Sequence, residues 1–557
     1  MPSRSKSAWP ADLPHSLAVP RTPLHYNVEV SARRYPDKPM AIFYDTPLSY
    51  AQAWRETEAL AGYLQQRCGV RRGDRVLLLM QNSPQFIIAY YAILRADAMV
   101  VPVNPMNLTG ELRHYIDNAG TAVAIVGQEL YPQLQPLLGA ATLAHAVVAT
   151  YSDYLRSESA FRIPEACLAA RVACSEPGAI AWQAALDERL APAPSQADPD
   201  DLCVMPFTSG TTGLPKGCIH THATVMFTAV AGAVWFRSIP DTVVLATLPF
   251  FHVTGMQGSM NSPIYMGSTI ILMQRWDRDT AAQLIRQHRV NSWTNISTMA
   301  IDFLANPALE DYDLSSLTRI GGGGAAMPEA VAQKLHDLTG LDYIEGYGLT
   351  ETIAPTHINP YDRPKKQCLG IPIFDTDARV VEPGTTREVA RGEVGEILSR
   401  GPQIFKGYWR NPEATAAAFV ELDGQTYFRT GDLGRVDEQG YFFIVDRLKR
   451  MINAAGYKVW PAEVETILYR HPDVQEACVI GTPDPTRGET VKALVVVKAG
   501  RAGAVSAEEI IGWARANMAA YKIPRVIQFV DHLPKSATGK VLWRTLQEQE
   551  FNRTVTT

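Results

Sequence analysis

Several things that a chain of 557 residues could carry are missing from this sequence. Its seven cysteines (Cys68, Cys167, Cys174, Cys203, Cys218, Cys368 and Cys478) form no C-x-x-C pair. Neither a zinc site nor a disulfide framework is indicated, and a reducing cytoplasm fits best. No run of about 18 apolar residues occurs, which argues against a membrane-spanning helix. The opening MPSRSKSAWPADLPHS has no apolar stretch of signal-peptide length, and the closing TVTT is not a peroxisomal address. Lys and Arg are scattered and the net charge is −5, so no nucleic-acid partner is expected. Neither repeats nor a long low-complexity region are evident. The expectation is a cytoplasmic protein without an integral membrane segment, with peripheral membrane contact left open.

What remains is the composition of a globular enzyme, 46% hydrophobic and 20% charged, in a chain too long for a single core. SYAQAWRETEALAGYLQQR has helical periodicity, while RVLLLM, AMVVPVN and AVAIVG read as short buried strands. That alternation predicts an α/β fold with a large multi-layer N-terminal domain. LAPAPSQADPDD reads as a surface connector. Near the C-terminus, EACVIG, KALVVVKAG and EEIIGWARANM predict a small α+β domain of about 110 residues, a viable size. The division is drawn at 1–446 and 447–557, after the strand that precedes the charged turn Asp446-Arg447-Leu448-Lys449-Arg450.

The stretch FTSGTTGLPKG, Phe207 to Gly217, crowds glycines, hydroxyls and a lysine together. It is not a Walker A loop, because Pro215 stands where the second glycine belongs and Gly217 follows Lys216. Its chemistry is nonetheless that of an anion nest: glycines let backbone N–H groups turn inward, and Ser, Thr and Lys add donors. DLCVMPF before it reads as a strand and ATVMFTAVAGAVWF after it as a buried helix. By itself such a loop could equally be a flexible surface segment.

Further stretches follow in order: LPFFH ending at His252, RIGGGGAAMP (Arg319–Pro328), EGYGLTE (Glu345–Glu351), YFRTGDLG with Asp432, DRLKRMINAAGYKV with Arg447 and Lys449, and LPKSATGK ending at Lys540. With the glycine loop, this ordered set resembles the adenylate-forming superfamily, which includes acyl-CoA synthetases, luciferases and peptide-synthetase adenylation domains. The motifs cover most of the chain from about residue 200 onward; earlier residues match only in general character.

The resemblance implies a reaction between a carboxylate and the α-phosphate of ATP, with pyrophosphate leaving, so the site must spread and screen negative charge. Thr208, Ser209, Gly210, Thr211, Thr212, Gly213 and Lys216 would hold the departing phosphates, and Thr208 and Glu351 would ligate Mg²⁺. Thr350 would bond the α-phosphate, while Asp432 and Arg447 would take the ribose hydroxyls. Adenine would lie against Tyr347, between the backbones of Gly324-Ala325-Ala326 and Glu345-Gly346, with Gly348 alongside. Lys540, by the same resemblance, reaches back from the small, mobile domain to bridge carboxylate and phosphate oxygens. Catalytic roles thus fall to Lys540, Thr350, His252 and Lys216.

For the acid, the resemblance places His252, Val253, Met256, Gly322 and Gly323 at the acyl pocket. Some long-chain members carry a gating tryptophan where this chain has Met256. TGMQGSMNSPIYM has no charged side chain, and the four glycines Gly321–Gly324 are expected to leave room beside a chain. A medium- to long-chain fatty acid is therefore the expected substrate, joined to coenzyme A as a thioester. The alternatives are an aromatic or short branched acid, or a luciferase-like oxidation of the acyl-adenylate. Lys449 would be the hinge for the second step, with Gly456, Tyr457, Lys458 and Arg487 near CoA. The partners expected are a carboxylic acid, ATP and CoA, with a homodimer left open.

Overall fold

A computed structural model describes residues 8–140, 142–208, 215–324, 326–454, 457–484, 488–501, 503–535 and 541–555. The side chains of 449, 453, 457, 458, 488 and 553–555 are outside that description. The chain forms two compact units: Met1–Ala378 with Ser399–Phe428 and Gln439–Tyr441, and Arg379–Leu398 with Arg429–Glu438 and Phe442–Thr557.

The first unit is built on two large sheets. In one, the strands Tyr343–Leu349, Arg319–Gly323, Ser292–Asn295, Val243–Ala246, Thr269–Leu272 and Pro39–Phe43 run parallel, with antiparallel strands at both edges. In the other, Met99–Pro102, Arg75–Leu79, Val123–Gly127 and His145–Ala149 form a parallel centre. The expected strands RVLLLM, AMVVPVN and AVAIVG are neighbours here. They lack polar alternation because both faces are covered: Val76, Val100 and Ile125 belong to one core and Leu77, Val101 and Ala124 to another.

Helices start where the sequence supplies caps. Ser49 accepts from the N–H of Gln52 and opens helix Tyr50–Gln66, the segment read as helical. Ser83 caps Pro84–Arg95 in the same way, with proline in the first turn. Thr221 caps His222–Trp235, which is apolar nearly all round and correspondingly buried. The Pro/Ala connector has no regular structure but is pinned: Gln66 donates to Ala191 O at 2.7 Å and Arg95 to Ala193 O at 2.8 Å.

The second unit contains the expected small α+β body. The long strands Val474–Asp484 and Gly488–Val497 pair antiparallel, and Val526–Phe529 adds in parallel. Helices Pro461–Leu468 and Ala507–Asn517 supply Val464, Leu468 and Ile510 to a core with Val479, Val491, Ala493 and Val495. This unit also takes in segments before 447, because Asp432–Val436 is hydrogen-bonded as a strand to Phe442–Arg447.

Candidate active site

The ends of the glycine-rich loop are tied together by strand pairing in the first unit. Thr208 lies opposite Lys216 and Phe207 opposite Gly217, so the loop leaves and re-enters a short antiparallel ladder. The re-entering strand, Lys216–Thr221, then pairs with Gly407–Tyr408, with Cys218 opposite Tyr408. Backbone bonds extend this edge: Trp409 N–H donates to Gly217 O at 2.8 Å and Lys406 N–H to Ile219 O at 2.9 Å. The Lys216 ammonium stands 5.0 Å from the centre of the Tyr408 ring.

Thr350 and Glu351 sit in a short 3-10 turn, Thr350–Thr352, at the end of strand Tyr343–Leu349. The turn packs against Phe207–Thr208 and Lys216–Thr221. His220 donates from Nε2 to Thr350 O at 2.8 Å; a carbonyl can only accept, which fixes the proton on that nitrogen. Burial holds His220 neutral, pushing its pKa down to about 4. Phe405 N–H donates to Glu351 O at 2.8 Å, and the Tyr408 hydroxyl donates to Glu351 Oε1 at 2.9 Å. Burial and the neighbouring carboxylate raise the Tyr408 pKa well above its ordinary value, keeping the hydroxyl a donor. Directly after the turn, Ile353 and Ala354 have φ of 43° and 75°. Such left-handed backbone at non-glycine residues, β-branched Ile353 above all, stores strain of about 1–3 kcal/mol each and persists only where the surroundings enforce it. His220 and Tyr408 were not singled out from the sequence. Their signal, polar side chains on strands, becomes specific only once register is known.

The run Gly321–Gly324 has a reason other than the expected one. In the parallel register Gly322 lies opposite Glu345 and Gly323 opposite Gly346. A Cβ on Gly322 would stand 1.8 Å from Asn295 O, and one on Gly323 would stand 2.3 Å from Gly346 O. The missing side chains answer to close strand approach, not to open space beside a chain. Replacing Gly323 by leucine therefore tests the strand packing before it tests any pocket. Gly324, at φ 86°, begins the turn away from the strand.

Glu345 holds that turn in place. Its buried carboxylate accepts from Met327 N–H at 3.1 Å and Gln367 N–H at 2.7 Å, yet desolvation still pushes its pKa up to about 7. Tyr347 is largely buried, its ring edge-on to His357 at 5.7 Å. Ala326 is exposed, Gly346 is half-buried, and Gly348 approaches Ala354 O where a Cβ would be 2.3 Å away.

His252 caps a short helix, accepting at Nδ1 from Thr254 N–H at 3.4 Å, and leads through Val253 into a π-helical turn, Met256–Asn261. π turns recur at functional sites. Met256 is fully buried, 3.7 Å from the Tyr90 hydroxyl. The segment is uncharged as expected but not wholly apolar. Tyr91 donates to Asn261 Oδ1 at 2.9 Å and Asn261 donates to Gln257 Oε1 at 3.2 Å, all buried.

In the second unit Asp432 is fully buried and opposite Arg447 in register, its Oδ1 2.8 Å from Arg447 Nε. The turn beyond is held by buried charge. Asp446 accepts from Ala462 N–H at 2.7 Å, and Arg450 meets Glu465 at 2.5 Å and lies 3.8 Å from Asp446. Lys449 lies in that turn, Leu448–Arg450. Ser209, Gly210, Thr211, Thr212, Gly213, Ala325, Gly456, Arg487 and Lys540, with the side chains of Lys449, Tyr457 and Lys458, lie outside the described residues.

With this geometry in view, residues 28–409 match the model of the AMP-binding enzymes. The chain belongs to the AMP-binding enzyme family. Residues 463–540 match the C-terminal domain of the same AMP-binding enzymes. A long-chain-fatty-acid–CoA ligase of Bacillus subtilis is 36% identical over 97% of each chain. A feruloyl-CoA synthase of Amycolatopsis is 35% identical, over 89% of this chain and 93% of its own. Among solved structures, the anthranilate CoA ligase AuaEII in complex with anthranoyl-AMP has a TM-score of 0.83 at 26% identity, covering 98% of this chain and 99% of its own. For an AMP-binding enzyme, the tethered ladder Thr208–Lys216 and the adjoining Thr350–Glu351 turn bring hydroxyl, ammonium and carboxylate groups to one edge of the first unit. Among the described residues no group of three or more His, Cys, Asp or Glu stands ready to hold a metal, and no helix is long and apolar enough to cross a membrane.

Proposed function

We propose that the chain is an ATP-dependent acyl-CoA synthetase acting on medium- to long-chain fatty acids. It would form acyl-AMP with release of pyrophosphate, then transfer the acyl group to CoA with release of AMP. One observation supports this reading most: the phosphate-loop ladder and the Thr350–Glu351 turn are interlocked, in a chain similar along 97% of its length to a long-chain-fatty-acid–CoA ligase.

In this reading the loop from Thr208 to Lys216 holds the phosphates that leave, and Thr350 orients the α-phosphate for in-line attack by the carboxylate. Thr208 and Glu351, hard oxygen donors, would hold Mg²⁺; a single carboxylate suits an ion that keeps waters and phosphate oxygens as its other ligands. When bound, the ion screens charge between phosphates and the attacking carboxylate. Tyr347 and the backbone of Gly324 and Gly346 flank adenine, while Asp432, oriented by Arg447, accepts from the ribose hydroxyls. Lys540 supplies an ammonium where charge builds during attack. His252, Val253, Met256 and the backbone of Gly322 and Gly323 border the acyl group, and Gly456, Tyr457, Lys458 and Arg487 serve CoA. The body from 447 onward turns about Lys449 between the steps. A cytoplasmic setting is supported by seven cysteines among which no C-x-x-C pair occurs.

A second reading, an aromatic acid bearing oxygen substituents, is favoured by Gln257 Nε2 and Ser259 Oγ, which are buried without a hydrogen-bond partner beside Met256. Pyrophosphate release with fatty acids of increasing length and with ferulate, each followed by thioester formation on adding CoA, separates the two. An adenylate oxidase would release pyrophosphate but form no thioester.

A further inference from the structure

We propose that Tyr408 is a positioning residue that sets the Glu351 carboxylate and the Lys216 ammonium at a fixed separation. The inference rests on the reading of Glu351 as a metal ligand and Lys216 as a phosphate group holder. The tyrosine touches both with different parts of one rigid side chain. Its hydroxyl donates to Glu351 Oε1 at 2.9 Å, and its ring faces Lys216 Nζ at 5.0 Å. A donor on one carboxylate oxygen fixes the carboxylate's rotation and directs the rest of its charge elsewhere; partners of this kind tune metal affinity strongly. A π face draws an ammonium electrostatically without neutralising it, so the lysine keeps its full charge for an anion.

The tyrosine is itself immobilised from three sides. Its backbone pairs with Cys218 in the strand that re-enters from the phosphate loop. Its N–H donates to Thr415 Oγ1 at 2.9 Å, and its ring lies edge-on to Phe405 at 4.9 Å. Phe405 in turn donates its N–H to Glu351 O at 2.8 Å, so backbone and side chain of Glu351 are held by residues three apart on one segment. Gly407, at φ 139°, lets the chain pass so close to Thr415 that a Cβ would stand 2.7 Å from its methyl group. The segment Phe405–Trp409 therefore acts as a brace across the loop ladder and the Thr350–Glu351 turn.

The test uses the full chain, ATP and Mn²⁺ with no acid present, so that no turnover occurs, and reads free Mn²⁺ by electron paramagnetic resonance. Tyr408→Phe removes the hydroxyl and keeps the ring; Mn²⁺ affinity in the presence of ATP should fall about 10-fold or more. Metal-free ATP affinity, measured by calorimetry in EDTA, should change much less in Tyr408→Phe than in Tyr408→Leu, which also takes the ring from beneath Lys216. Folding is controlled for by a cycle with Glu351→Gln: with the carboxylate already neutral, adding Tyr408→Phe should cost little further Mn²⁺ affinity. Wild-type Mn²⁺ affinity in a folded Tyr408→Phe protein, fully additive losses in the cycle, or equal loss of Mn²⁺ and metal-free ATP binding would overturn the proposal. A wild-type protein that takes up no Mn²⁺ with ATP would overturn the metal assignment of Glu351, and this proposal with it.

Discussion

The turn Thr350–Ala354 in the first unit and the turn Asp446–Arg450 in the second both carry candidate site residues, yet they are held by different forces. The first is fixed by short bonds to backbone: His220 on Thr350 O, Phe405 on Glu351 O, and a strained Ile353 that only dense surroundings can maintain. The second is fixed by charge: Asp446, Arg450 and Glu465 form a buried ionic cluster against helix Pro461–Leu468. Neutral hydrogen bonds to a sheet edge hold the turn in one geometry, which is what the phosphate contact proposed for Thr350 would need. A buried ionic cluster makes an all-or-none anchor, because losing one partner strands another charge. If Lys449 is the hinge, this cluster is what rotation must carry intact or break.

Breaking the anchor should have the largest effect. Glu465→Gln removes the nearer of Arg450's two carboxylate partners and leaves only Asp446 at 3.8 Å, and the second unit should lose about 3–5 kcal/mol in urea unfolding. A loss below 1 kcal/mol would mean the cluster is not an anchor. Next comes Lys540→Ala, which should slow adenylation about 10²–10³-fold, while supplied acyl-AMP and CoA still give thioester at near the normal rate. Equal loss in both half-reactions would make Lys540 structural. Lys449→Pro fixes φ in the turn and should slow thioester formation about 10–100-fold while sparing adenylation.

A pH scan separates the two units by their buried histidines. His25, His220, His222 and His357 all lie in the first unit, and burial pushes them down to about 4, 4, 3 and 3. Unfolding lets each take a proton below its ordinary value near 6.5, so their contribution is complete above about pH 6.5 and is lost as pH falls toward 4. Each costs about 1.4 kcal/mol per pH unit in that window. The first unit should therefore unfold first on acidification, as read by Trp235 and Trp293 fluorescence; earlier loss of the second unit would contradict this. The smallest effect is a change of preference. Gly258 lies in the π turn Met256–Asn261, where a Cβ would meet nothing nearer than Thr294 Oγ1 at 3.9 Å, so Gly258→Val should fold and favour shorter acids by about 10-fold per methylene.

Much of this could be read from the residues alone. Arg75–Leu79, Met99–Pro102 and Val123–Gly127 announce themselves as apolar β-rich runs, and helix Tyr50–Gln66 by its period. Thr208, Lys216, Glu351 and Asp432 were legible because their motifs are local. Tyr408 was not, since its meaning depends on lying opposite Cys218, nearly two hundred positions away in sequence. The glycine run was noticed for the room it leaves, whereas the carbonyls of Ile344, Asn295 and Gly346 on the two flanking strands leave Gly321, Gly322 and Gly323 no space for a Cβ, and register is a property of two segments at once. The buried charge of the second turn falls on Arg450 and Glu465, a choice made by packing against helix Pro461–Leu468 and invisible in the local motif.

A chain that both adenylates a fatty acid and passes it to CoA must yield the products of both steps. The most direct measurement incubates purified protein with ATP, Mg²⁺, CoA and a long-chain fatty acid, following pyrophosphate and acyl-CoA together. Equal amounts of both are expected, dependent on the acid and with a clear preference for fatty acids over ferulate. Pyrophosphate without thioester, or turnover of ferulate alone, would contradict it.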